Sequence, residues 1–342
     1  MTVIHTSESL HASSNGHSHP HDHIPLHSGH QLKSKAQSVA FAQDTFTHLT
    51  LYTGNTIATG TTGLLNTTLK KSNQELVSAV EDTLVYSLNS AQIDGGHIAV
   101  ADQRSLGPLE DDRSKYDITG EFNKKACRKI ELTEADQHKL IQNSAKLFFL
   151  SPAGASSPLS VDQLDLALQN LGFVLDSSDI VVDHFILAIP NQSFDENELD
   201  EAELEAFTDN VQQLYLPVWR RLSELRKSGR IGRLGVAEFS RQQLEILKTV
   251  AVSNDAAVPE INQVNLHDCC VLPKDLIEYS KVEGIELLTH GDSTNILPKA
   301  TLASLLQPHL PTASDSTLAP NFVLKYSALL SGRGLITRKG YI

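Results

Sequence analysis

An α/β chain folded as a (β/α)8 barrel is what this sequence predicts, on three observations. From about residue 144 onward, apolar runs alternate with amphipathic segments in at least five strand–helix units. That rhythm points to a parallel sheet with helices outside it. No Gly-x-Gly-x-x-Gly opens a helix after any of these strands, and no Walker A sequence occurs, so open nucleotide-binding sheets lack their usual signature. A length of 342 residues suits a single barrel domain.

The first 40 residues stand apart. "HASSNGHSHPHDHIPLHSGH" is Ser, Gly, Pro and His with few apolar side chains, the composition of a disordered tail. This divides the chain into a His-rich tail over 1–40 and a barrel over 41–342. Eight of the fifteen histidines fall in the first thirty residues, with His17, His19, His21 and His23 at alternate positions. Clustered imidazoles bind zinc, copper or nickel; a solvated tail of biased composition accounts for the same residues. Between 55 and 143, "LVSAVEDTLVYSLN" reads as a helix, while "LEDDRSKYDITGEFNKKACRKIELTEADQHKL" is polar without a clear period.

The barrel elements follow in order. "SAKLFFL" is a strand, and "SVDQLDLALQNLG" a helix with Ser160 and Gln163 as capping box, Leu164, Leu168 and Leu171 on one face, and Gly172 as its end. "DIVVDHFILAIP" is apolar on both faces, as a buried parallel strand should be. The acidic run from Asp195 to Glu205 leads toward a helix and reads as a solvated face. "LPVWRRLSELRKSGR" begins near Pro217, buries Val218, Leu222 and Leu225, and stops at Gly229; Trp219 is a packing aromatic. "IGRLGVAEF" is the next strand, and Ser240 with Gln243 caps "RQQLEILKTVAV". Strand "INQVNLH", helix "PKDLIEYSKVEG" and strand "IELLTH" repeat the unit, and "LITRKGYI" closes as strand-like.

Bulk properties restrict the function classes. A net charge of -13 and a pI near 5.5 oppose binding to phosphate backbones. Three cysteines, Cys127, Cys269 and Cys270, do not make a disulfide framework and fit a reducing compartment. No apolar stretch approaches the roughly 18 residues of a membrane span, and the N-terminus lacks a signal-peptide layout. A cytoplasmic protein is expected.

"KSGRIGRLGVAEFSRQQLEIL", "INQVNLH" and "DLIEYSKVEGIELLTH" together resemble the aldo-keto reductase family, a (β/α)8 barrel that moves hydride from NADPH. The resemblance covers roughly residues 144–342 and implies a barrel of that type, shortened at its C-terminal end. It places the family's lysine at Lys146, and Ala188 in "ILAIP" where the family has its histidine. Asp111 and Tyr116 have nearly the spacing of the family's Asp and Tyr, but in a polar run without a preceding apolar strand. At the cofactor positions, Ala237 and Glu238 replace a Ser-Asn pair, Gln263 is kept, and His290 stands for the aromatic that stacks on the nicotinamide. Lys339 in "ITRKGYI" falls where the family has a phosphate clamp.

A narrower resemblance rests on "LYTGNTIATG", "SAKLF", "NQVNLHDCC", "ELLTH" and "SGRGLITRKGYI" in one order. These are similar to segments of the regulatory (modifier) subunits of glutamate-cysteine ligase. That family implies a non-catalytic partner with no cofactor of its own. It would pair as a heterodimer with the catalytic subunit of glutamate-cysteine ligase, raise that subunit's glutamate affinity and relieve feedback by glutathione. An NADPH-dependent reductase is the alternative. Cys269 and Cys270, with only His267 and Asp268 nearby, make a poor tetrahedral zinc set. At the C-terminal end of a barrel strand they would face the functional side, as interface or redox residues, or else pack as buried loop thiols.

Overall fold

The computed structural model describes residues 48–53, 55–57, 72–90, 92–94, 97–99, 115–119, 140–150, 159–175, 177, 179–194, 198–266, 272–308, 319–331 and 334–342. In chain order the elements are β1 (His48–Tyr52), α1 (Ser72–Ser90), β2 (Gln92–Asp94), β3 (His97–Ala99), β4 (Lys115–Thr119) and β5 (Ile141–Phe149). Then come α2 (Val161–Val174), β6 (Val182–Ala188), α3 (Glu201–Asn210), a π-helical turn Val211–Tyr215, α4 (Leu216–Lys227) and β7 (Ile231–Ala237). The remainder is α5 (Arg241–Ser253), β8 (Ile261–Val264), α6 (Lys274–Glu283), β9 (Glu286–Thr289), α7 (Lys299–Leu306), β10 (Phe322–Leu330) and β11 (Leu335–Tyr341).

The main sheet has the order β11-β10-β5-β6-β7-β8-β9. Strands β5 to β9 are parallel neighbours, and β10 and β11 extend the sheet as an antiparallel hairpin beside β5. Neighbouring strands lie about 4.8 Å apart, so a flat sheet would put the end of β9 about 19 Å from β5 and further still from β10. Yet Asp292, three residues past β9, bonds Lys146 of β5 at 2.9 Å and Lys325 of β10 at 2.7 Å. The sheet is therefore strongly curled, a half-barrel. Among the described residues the expected eight-stranded ring is met only in part: no ladder joins β9 to β11, and β10 runs antiparallel to β5 where a parallel strand was expected.

Alternation along each strand divides the core in two. Leu147, Phe149, Phe185, Leu187, Leu234 and Val236 face outward and pack with Leu164, Leu171, Trp219, Leu222, Leu244 and Leu247 of the flanking helices. Phe148, Ile186, Ala188, Ala237, Ile261 and Val323 face the concave side, where Leu76, Val80 and Leu84 of α1 join them. The concave side is tight at Gly235: a Cβ there would lie 2.7 Å from both Ile186 Cδ1 and Ile261 Cβ.

Local signals met the structure with three adjustments. Ser240 and Gln243 form a reciprocal capping box, and so do Asp200 and Glu203 at the head of the acidic helix. Ser160 accepts from the Gln163 N–H, but α2 runs through Gly172 to Val174 because Gly172 packs its bare backbone against Ser177 O. Pro217 is not a helix start, since α3, the π-turn and α4 form one uninterrupted helical run. A proline lacks an N–H, and the run passes it through a wide turn in which the Leu216 N–H reaches Val211 O. "INQVNLH" is strand only as far as Val264. Among the described residues no helix is long and apolar enough to cross a membrane.

Candidate functional site

The C-terminal ends of β5 to β9 converge on a small set of charged side chains. Lys146 is placed by the alternation of β5, which turns Lys146 and Phe148 inward and Leu147 and Phe149 outward. It is 6% exposed, donates to Asp292 Oδ2 at 2.9 Å and lies 4.9 Å from the centre of the Phe148 ring. Burial pushes its ammonium below the ordinary lysine range, and the Asp292 charge pulls the other way. Lys325, the register partner of Lys146 on β10, donates to the other oxygen of Asp292 at 2.7 Å. One buried carboxylate thus bridges two lysines, which is how two ammonium groups are tolerated side by side.

Glu238 sits one residue past β7 with a left-handed backbone, φ 69°. Among the described residues the other two non-glycine residues with positive φ are Asn191 and Asp255, whose short polar side chains tolerate it; a glutamate does so at a cost. Its backbone is held on both sides, the Glu238 N–H donating to Gln263 O and the Gln192 Nε2 donating to Glu238 O. Its carboxylate turns inward and is 8% exposed by residue. Oε2 accepts from the Phe194 N–H at 3.0 Å and the Asn265 N–H at 3.3 Å, and Oε1 lies 2.7 Å from His290 Nε2. His290 Nδ1 accepts the Asp292 N–H at 3.0 Å, which turns Nε2 toward Glu238.

The expected positions can now be located. Lys146, Ala188, Gln263 and His290 all border this concave mouth, and Ala188 leaves no imidazole there. The side-chain oxygen of Gln263 is buried without a hydrogen-bond partner. Lys339 is elsewhere occupied: its Nζ bonds Glu75 of α1 at 2.6 Å. Tyr116 lies on β4, which pairs with β1 outside the main sheet; Asp111 lies outside the described residues. Cys127, Cys269, Cys270, His17, His19, His21 and His23 also lie outside them. Among the described residues no group of three His, Cys, Asp or Glu side chains is arranged to hold a metal.

Reading the sequence missed Asp292, Lys325, Glu75 and Tyr341. Lys325 had a signal, as the one charge in the otherwise apolar "FVLKYSALL". Asp292, two residues after His290 in a loop, had none. Tyr341 is 1% exposed, and burial raises its phenol above the ordinary range, with the Glu75 and Asp292 charges adding to it.

These residues do not suit a nicotinamide group. Where a reductase offers a neutral amide pair, Glu238 presents a carboxylate already engaged with His290 and two backbone N–H groups, and the lysine at the phosphate-clamp position is tied to Glu75. Two cavities of about 160 and 170 Å³ flank the sheet, and neither is lined by Lys146, Glu238 or His290.

No family model matches the chain. It is 32% identical over 213 residues to the glutamate–cysteine ligase regulatory subunit of Mus musculus, a match covering 62% of this chain and 69% of that one. The chain belongs to the glutamate–cysteine ligase regulatory subunit family. The Homo sapiens member of the family is likewise 32% identical over 213 residues, with the same coverage. Among solved structures, MGS-M4, an aldo-keto reductase from a Medee basin deep-sea metagenome library, aligns over 37% of this chain and 36% of its own at 19% identity and a TM-score of 0.24.

Proposed function

We propose that this chain is a non-catalytic subunit that binds the catalytic subunit of glutamate–cysteine ligase as a heterodimer in the cytoplasm. It would raise that subunit's glutamate affinity and weaken feedback by glutathione. The observation that carries the reading is the 213-residue match to regulatory subunits. The mouth of the half-barrel supports it. Lys146 is spent on Asp292, Glu238 on His290, and Ala188 stands where a reductase needs an imidazole. Among the described residues, no proton donor of the reductase kind is poised beside a site for hydride.

On this reading the parent architecture is the aldo-keto reductase (β/α)8 barrel over 41–342, preceded by a His-rich tail over 1–40. No metal at His17, His19, His21 or His23 is required. Cys269 or Cys270 faces the partner and senses oxidation or bridges to it. Regulation requires that this subunit bind one conformation of its partner more tightly than another.

The test is kinetic. Mixing the purified chain with the catalytic subunit lowers the apparent glutamate KM; unchanged kinetics at saturating chain refute the reading. The chain alone does not oxidise NADPH with a panel of aldehydes. Turnover that disappears in Lys146→Met would favour the reductase instead. A heterodimer band on non-reducing gels that persists in the Cys269→Ser, Cys270→Ser double variant excludes bridging by this pair.

A further inference from the structure

We propose that the pocket around the Glu238 side chain is a binding site for a small carboxylate, which this chain fills with its own glutamate. Two backbone donors and one imidazole, from three different exit loops, converge on that one carboxylate. The Phe194 N–H comes from the loop after β6 and the Asn265 N–H from the loop after β8, both aimed at Oε2 at 3.0 and 3.3 Å. The His290 ring comes from the loop after β9 and lies against Oε1 at 2.7 Å. Two fixed amides on one oxygen and an imidazole edge against the other make surroundings that suit a carboxylate. The buried ammonium of Lys146 adds a favourable field, since the Glu238 charge acts on it.

Other contacts also hold the cradle: Asn265 Nδ2 donates to Asp292 O, the His290 backbone N–H donates to Val264 O, and Phe194 packs against the core. The tether itself is under tension: a glutamate holds φ 69°, a region that costs an L side chain and suits glycine. Backbone bonds to Gln263 and Gln192 keep residue 238 in place whatever its side chain. Replacing it with glycine therefore removes the carboxylate, relaxes the backbone and leaves the two amides and the imidazole facing an opening of carboxylate size.

The full-length Glu238→Gly chain, titrated with sodium formate and sodium acetate, shows a saturable rise in its unfolding midpoint. At ten times the half-saturating concentration, the folding equilibrium constant rises about tenfold. The parent chain, its cradle filled, shows no such rise. Amide resonances of Phe194 and Asn265 in the variant shift with the same saturation curve. A rise matched by sodium chloride at equal ionic strength overturns the proposal, and so does a parent chain that responds as the variant does. Should Glu238→Gly fail to fold, Glu238→Asn, whose side chain tolerates the same backbone, is read in the same titration. Its failure to respond to formate likewise overturns the proposal. The readout involves no partner subunit, so it stands or falls apart from the regulatory reading.

Discussion

Replacing Asp292 with asparagine tests whether charge holds the mouth of the half-barrel together. The residue is 2% exposed and takes Lys146 at 2.9 Å and Lys325 at 2.7 Å. Those two lysines are register partners on adjacent strands. Two ammonium groups roughly 5 Å apart repel by about 3 kcal/mol at an effective dielectric constant near 20; Asp292 offsets this for both, and Glu238 adds a smaller attraction at Lys146. Removing one partner from a buried pair costs about 3–5 kcal/mol. The Lys325 side chain is 23% exposed and can turn partly toward water, which places Asp292→Asn near the lower end, about 3 kcal/mol. Lys146→Met behaves differently. It removes the more deeply buried cation and leaves Asp292 with Lys325, so the loss is about 1 kcal/mol or less. Urea unfolding followed by far-ultraviolet circular dichroism measures both. An Asp292→Asn chain within about 1 kcal/mol of the parent, or no worse than Lys146→Met, would refute the bridging argument.

The remaining predictions concern packing and pH. Gly235→Ala forces a Cβ to within 2.7 Å of Ile186 Cδ1 and Ile261 Cβ and 2.8 Å of Ile261 O. It should cost about 1–3 kcal/mol in the same urea assay, and a loss under about 0.5 kcal/mol would show that the sheet opens to accept it. Lys146 gives a signed pH dependence. Its folded value lies below the ordinary 10.5, so between the two the unfolded chain binds the extra proton. Stability of the parent relative to Lys146→Met therefore rises with pH up to about 10.5 and is flat below the folded value. A relative stability that falls over pH 8–10 contradicts this.

Much of the fold was legible because it rests on local rules. Ser240 with Gln243 satisfied helix-end donors as their spacing announced, and Gly229 and Gly284 ended helices with positive φ. "DIVVDHFILAIP" was apolar on both sides because it lies between β5 and β7 with core on each face. Pro217 misled because its effect depends on the turn before it: the helical run reaches it through a π-turn that the sequence does not announce. Neither β10 nor its reversed direction was read from "FVLKYSALL", since strand direction leaves no mark on a mostly apolar run.

By itself the sequence determined the alternation of strands and helices, the residues of each buried face and the family to which the chain belongs, because periodicity, caps and segment order are properties of neighbours along the chain. Only the tertiary structure decided that Lys146, Lys325 and Asp292 share one buried charge cluster, and that Glu238 turns inward onto His290 and the loops of Phe194 and Asn265. Curling brings together the ends of strands that a flat sheet would hold about 19 Å apart, and no spacing along the chain encodes that distance.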